Sequence, residues 1–283
     1  MIDPAAANWR EAMIETLRPM AGLPVLLSGG MDSVAIVAGL VAMGRRPVCY
    51  TYRLRGVPSE DVAMAAQVTL AYDLPWMLVE IAADPAQIEH DVRAVLPVIR
   101  SGRKTAVECA VPMAYLASRL VDHGWDEAIS GDPGIIEDNR RFAVGILTDG
   151  ETEEWRAYRR QRLGRGDESD DASRAMRVVA AHYGVALRQP YAVDPLSAVG
   201  LDLPEAEINS PRQKGIALRA FPEFFGYPDH LRFWRRNKSL QSASGLRETY
   251  AAALLAPERN PRGHRAVVAV YRDMLRQETG LWT

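Results

Sequence analysis

The chain has 283 residues, a formal net charge of −2, and 48% hydrophobic against 25% charged residues. That balance excludes a disordered or fibrous class and leaves ample material for a folded core. Near-neutral charge argues against broad coating of nucleic acid, and two cysteines far apart in apolar runs, Cys49 and Cys109, exclude a cysteine-rich zinc site or a C-x-x-C redox pair. Neither a secretory signal nor an apolar run of membrane-spanning length stands out, so the expected location is the cytoplasm, away from any membrane.

In chain order, Ala5 to Met20 places Trp9, Met13 and Leu17 at helical spacing and stops at Pro24, predicting a helix beside the first strand. Val25-Leu26-Leu27, bounded by Pro24 and Ser28, predicts a short buried strand, and the alanine-rich run Val34 to Met43 predicts a helix. Ser28-Gly29-Gly30-Met31-Asp32-Ser33 is therefore a strand-to-helix turn. A helix N-terminus carries unpaired N–H groups and partial positive charge, and paired glycines let the backbone approach an anion, so this turn suits phosphate. Ser28 and Ser33 add hydroxyls, and Asp32 is a candidate Mg²⁺ ligand.

Pro47 to Tyr52 reads as a second strand, Ser59 to Tyr72 as a helix capped by Ser59, and Trp76 to Ile81 as a third strand. Asp84 to Val98 reads as a helix capped by Asp84 with Pro85 in its first turn, and Thr105 to His123 as a long amphipathic helix. Asp126 to Ile129 is the next strand, ending in the glycine-bearing turn Ser130-Gly131-Asp132-Pro133-Gly134. Strands alternating with helices predict a doubly wound parallel sheet, an α/β fold whose ligands sit beyond the carboxyl ends of the strands. The second turn should then face the first across a ligand, with Tyr50 to Arg53 nearby.

Ser28-Gly29-Gly30-Met31-Asp32-Ser33 resembles the pyrophosphate loop of the N-type ATP pyrophosphatases, which split ATP between the α and β phosphates. The resemblance implies an adenine nucleotide alpha hydrolase-like (HUP-type) fold. The strand ending in Ser130-Gly131-Asp132, preceded by Tyr115-Leu116-Ala117-Ser118-Arg119, is similar to the S-G-E-G segment of the asparagine synthetase synthetase domain. Arg188-Gln189-Pro190-Tyr191-Ala192-Val193-Asp194, Lys214 to Arg219, and Lys238-Ser239-Leu240-Gln241 with Ser244-Gly245 resemble later segments of that family in the same order. The likeness runs from about Val25 to Leu255 and divides the chain into a nucleotide-binding core, 1–150, and a mostly helical substrate or lid region, 151–283.

What the resemblance implies is adenylation of a small carboxylate by ATP with Mg²⁺, followed by attack of ammonia or an amine to give an amide and AMP. Ser28, Gly29, Gly30, Asp32, Ser33, Tyr50, Ser130 and Gly131 would bind the nucleotide, and Asp132, Lys214 and Lys238 would be catalytic. Asp32 and Glu137 would be metal ligands. The family's usual glutamate is Asp132 here, and Ile135-Ile136-Glu137-Asp138-Asn139 replaces the usual acidic pair and G-G-Y. The residues ahead of the loop leave no room for the family's glutaminase, so ammonia from solution, a partner subunit's ammonia or a second substrate's amine is expected; a homo-oligomer is also considered.

Glu151 to Gly166 interleaves Trp155 and Tyr158 with Arg156, Arg159, Arg160, Arg162 and Arg165, and Arg232 to Arg236 forms a second such cluster. Both patterns suit single-stranded nucleic acid, although a charge-paired helix and a pyrophosphate-facing anchor are preferred for them. They keep open a nucleotide- or tRNA-modifying pyrophosphatase, including an NAD synthetase-like amidation, and the altered segment after Asp132 keeps open a catalytically silent nucleotide-binding subunit. His123, His182 and His264 are isolated and read as structural.

Overall fold

Each short apolar run becomes a strand and each helically spaced run carries the chain back, so the strands emerge parallel. The computed structural model describes residues 4–132, 171–203, 215–225, 243–255 and 266–280. Helix α1 (Pro4–Leu17) runs into a short 3-10 turn and strand β1 (Val25–Leu26), followed by α2 (Met31–Ala42), β2 (Cys49–Leu54), α3 (Glu60–Ala71), β3 (Trp76–Ile81), α4 (Pro85–Ile99), α5 (Lys104–Asp122) and β4 (Glu127–Ser130). Beyond these lie α6 (Asp171–His182), β5 (Ala186–Arg188), a 3-10 turn (Pro190–Ala192), α7 (Leu196–Asp202), α8 (Gly215–Ala220), α9 (Pro222–Phe225), α10 (Leu246–Leu254) and α11 (Ala266–Thr279).

The sheet has the order β3-β2-β1-β4-β5 and every pair is parallel. Its two-residue centre, β1, pairs Val25 with Cys49 on one side and Ile129 on the other. The order reverses at β1, and its carboxyl end is where an open α/β sheet leaves a crevice. The helix caps follow the local sequence: Ser59 Oγ accepts from the Val62 N–H, and the Asp84 carboxylate accepts from the Gln87 N–H.

Two cores flank the sheet, as a doubly wound fold requires. One packs α1, α2 and α3 with Tyr191 and the α8–α9 residues Ile216, Phe221 and Phe224. There Trp9 meets Phe221 edge to face at 6.1 Å, and the Arg10 guanidinium lies over the same ring while donating to the Ala220 carbonyl and pairing with Glu223. The other core packs α4, α5, α6, α10 and α11.

Two elements differ from the sequence expectation. Helix α2 begins at Met31, so Asp32 and Ser33 lie inside its first turn rather than ahead of it. There the Val34 N–H already bonds the Gly30 carbonyl, and Ser33 Oγ donates to the same carbonyl at 3.0 Å. Strand β5 was not anticipated; its three residues are extended because they pair with β4, not because of any pattern of their own.

Candidate active site

At the carboxyl ends of β1, β2 and β4 the sheet opens into a cleft of about 290 Å³. One wall is the loop between β1 and α2. Ser28 N donates to Ser33 Oγ, Ser33 Oγ donates to the Gly30 carbonyl, and Gly30 N donates to Ser28 Oγ, with the two hydroxyls 3.2 Å apart. The hydroxyls of Ser28 and Ser33 are thus bonded within the loop and hold its shape. Val34 N is the first helical amide to enter the ladder, on the Gly30 carbonyl, so the amides of Met31 to Ser33 fall in the turn where an α-helix has no intrahelical acceptors.

Gly29 sits at φ +70°, the left-handed region that glycine adopts without a steric cost. It is also wedged against the start of α3: a Cβ there would lie 2.6 Å from the Asp61 carbonyl oxygen. Asp61, buried at 4% exposure, reaches the cleft from this side. Nothing in the sequence marks it as a cleft residue, because it sits just beyond Ser59 in an ordinary capped helix.

The opposite lip is the turn after β4. Asp132 N donates to Ser130 Oγ, and Gly131 packs directly on the backbone of Asp32 and Ser33. The two glycine-bearing turns therefore meet, and Ser28, Gly30, Asp32, Ser33, Ser130, Gly131 and Asp132 all line one cleft. Gly29 shapes the loop without lining the cleft. The Asp132 carboxylate accepts from Gln189 Nε2 at 3.2 Å.

The floor and far wall are apolar. Tyr50, Thr51 and Tyr52 contribute from β2, and Cys109, Pro112, Met113 and Leu116 from α5, with Met176 from α6. Arg53 is not among them; it pairs with Glu80 at the edge of the sheet. Tyr50 lines the cleft, but its hydroxyl is 2.6 Å from His123 Nδ1 at the end of α5 and is committed there. Thr51 Oγ1 donates to the Leu27 carbonyl and accepts from the Trp76 indole, which ties the start of the β1–α2 loop to β2 and β3. Burial, and secondarily the nearby Asp32, raises Tyr191 well above the usual tyrosine range, so its hydroxyl remains a donor.

Lys214, Lys238, Glu137 and both arginine–aromatic clusters lie outside the described residues. Among the described residues there is no group of three or more His, Cys, Asp and Glu side chains able to hold a metal. The carboxylates that do line the cleft, Asp32, Asp61 and Asp132, are hard oxygen donors beside the glycine-bearing β1–α2 turn. That set fits Mg²⁺, which is ordinarily held by one or two carboxylates together with substrate phosphates rather than by an all-protein cage. No helix among the described residues is long and apolar enough to cross a membrane.

Residues 10–134 match the family model described as asparagine synthase. The match spans both glycine-bearing turns and points to an ATP-using ligase performing ATP-dependent amidation. No curated protein matches the chain.

Proposed function

We propose that this chain is an AMP-forming carbon–nitrogen ligase that adenylates a small carboxylate and passes it to ammonia or an amine. The observation that carries the reading is the direct packing of Gly131 on Ser33, which joins a phosphate cradle to an acidic turn across one cleft.

ATP would lie with its phosphates over Ser28 to Ser33, where the amides at the start of α2 and the local helix dipole attract negative charge. The base would rest on the apolar surface of Tyr52, Met113 and Leu116. A substrate carboxylate oxygen attacks the α-phosphorus, the α–β P–O bond breaks, and pyrophosphate departs along the loop. Lys214 and Lys238 are assigned to the charge that develops on the phosphates. Asp32, with Glu137 as a second candidate, would hold Mg²⁺, whose chemistry is to neutralise the phosphate oxygens. In the second half, the amine nitrogen attacks the acyl carbon, the bond to the AMP oxygen breaks, and the proton shed by the amine goes to Asp132. Ammonia from a partner subunit and a small-molecule amine are both compatible with the scheme.

ATP–pyrophosphate exchange with a panel of carboxylates in the presence of Mg²⁺ tests it, with wild type beside Asp32→Ala. Acid-dependent exchange that disappears in the variant is the expected result. ATP binding without exchange for any acid would overturn the ligase reading and favour a macromolecular acceptor or a silent subunit; RNA binding with a steep salt dependence would select the former.

A further inference from the structure

Two polar contacts reach the cleft from a turn that the scheme above leaves unused. Tyr191, buried at 4% exposure, donates its hydroxyl to the main-chain carbonyl of Asp32 at 2.8 Å. Gln189, two residues earlier, donates its side-chain amide to Asp132 Oδ2 at 3.2 Å. One short stretch of chain thereby touches both lips of the cleft, from 159 residues away on one side and 57 on the other.

This stretch has little freedom of its own. Strand β5, just ahead of it, is paired with β4, the strand that leads into the turn of Asp132. The turn closes on itself, with Ala192 N donating to the Gln189 carbonyl and Val193 N to the Pro190 carbonyl. Pro190 and Tyr191 are buried, and Leu196 N donates to Thr16 Oγ1 on α1. A side chain locked by packing and by neighbouring hydrogen bonds can hold a reacting group in one orientation.

We infer that the turn Gln189–Tyr191 is a two-ended clamp: Tyr191 fixes the phosphate loop at Asp32, and Gln189 aims Asp132. Both are positioning residues. The Gln189 end rests on the proposed role of Asp132, whereas the Tyr191 end requires only that the loop binds ATP.

Tyr191→Phe removes only a hydroxyl, and Gln189→Ala only the amide arm. Titration calorimetry with Mg²⁺ and ATP reads the loop end: Tyr191→Phe is expected to weaken binding about fivefold, as for loss of one buried hydrogen bond, and Gln189→Ala to stay within about twofold. AMP formation with the acid identified by exchange reads the other end. Gln189→Ala is expected to lower kcat about tenfold with the KM for ATP unchanged, and to have no further effect in an Asp132→Asn background. Equal losses of binding and turnover in both variants, or a Gln189→Ala effect undiminished by Asp132→Asn, would overturn the clamp. Should the wild type form no AMP with any acid, the ligase reading fails on its own. Hydrogen exchange then decides the Gln189 end: amides of residues 127–132 must exchange about tenfold faster in Gln189→Ala, and unchanged rates overturn the inference.

Discussion

Gly131 rests on the backbone of Ser33 so closely that a Cβ added to it would lie 2.9 Å from the Ser33 nitrogen and 3.1 Å from its α-carbon. Both atoms are main chain at the start of α2 and cannot swing aside as a side-chain tip would. Gly131→Ala must therefore part the two turns across which the nucleotide is proposed to lie. We expect MgATP affinity to fall at least about tenfold, equivalent to a shift of about 1.4 kcal/mol, with most of the thermal stability kept. Calorimetric titration beside a melting curve checks this; unchanged affinity would place the nucleotide elsewhere.

Gly29 and Gly44 share nearly the same backbone, φ +70° and +72°, but a Cβ at Gly44 meets nothing within 4 Å whereas one at Gly29 meets the Asp61 carbonyl oxygen at 2.6 Å. Alanine at Gly44 should cost about 1–2 kcal/mol, the usual steric penalty of the left-handed region. Gly29→Ala should cost clearly more and should also impair nucleotide binding. Urea unfolding of the two variants measures the difference, and equal costs would mean that α3 yields easily.

Thr51 Oγ1 serves two partners, the Leu27 carbonyl and the Trp76 indole. Thr51→Val keeps the shape and removes this hydrogen bond from both in a buried setting, at a cost of about 1–3 kcal/mol. Trp76→Phe removes one of those partners, so the double variant should cost less than the sum of the two single changes. Strict additivity in urea midpoints would show that the hydroxyl does not couple β3 to the loop.

Burial pushes the Glu108 carboxyl above its ordinary 4.5, and Lys104, 2.8 Å away, reverses this only in part. A carboxyl that holds its proton more tightly in the folded chain contributes its stability in full below pH 4.5 and loses it as pH rises through the folded value. Subtracting the melting temperature of Glu108→Gln from that of the wild type cancels the other titrating groups. The difference should fall as pH is raised from about 4; a rising difference would show that the ion pair outweighs desolvation.

What could be read from the sequence was local. Ser59 and Asp84 cap the helices that follow them because a cap needs only a partner three residues on. Trp76 to Ile81 declared itself by its apolar, β-forming residues. The start of α2 did not, since the glycines ahead of it have no periodicity and its first turn is held by bonds onto the Gly30 carbonyl, from the Val34 amide and the Ser33 side chain. Ala186 to Arg188 became a strand through pairing alone. Tyr50 was selected for its place on β2, yet its hydroxyl runs to the far end of α5. Gln189 and Tyr191 lie in a segment marked by resemblance alone, with no role attached, because their contacts with Asp132 and Asp32 run across the fold; Asp61 carries no mark at all. Residues 133–170, which contain Glu137 and the first arginine cluster, and Lys214 and Lys238 lie outside what the structure describes.

The clasp between Arg10 and the Ala220–Glu223 corner also has a meaning in time. On the ribosome the α1–α2 layer emerges well before Phe221, which meets Trp9, lies beside Gly39 and is made some two hundred residues later. Until then that apolar surface has no permanent cover, the high-contact-order situation in which folding is slow and association with other chains competes. The α2 layer, which carries the Ser28–Ser33 turn, is thus laid down long before the residues that seal it.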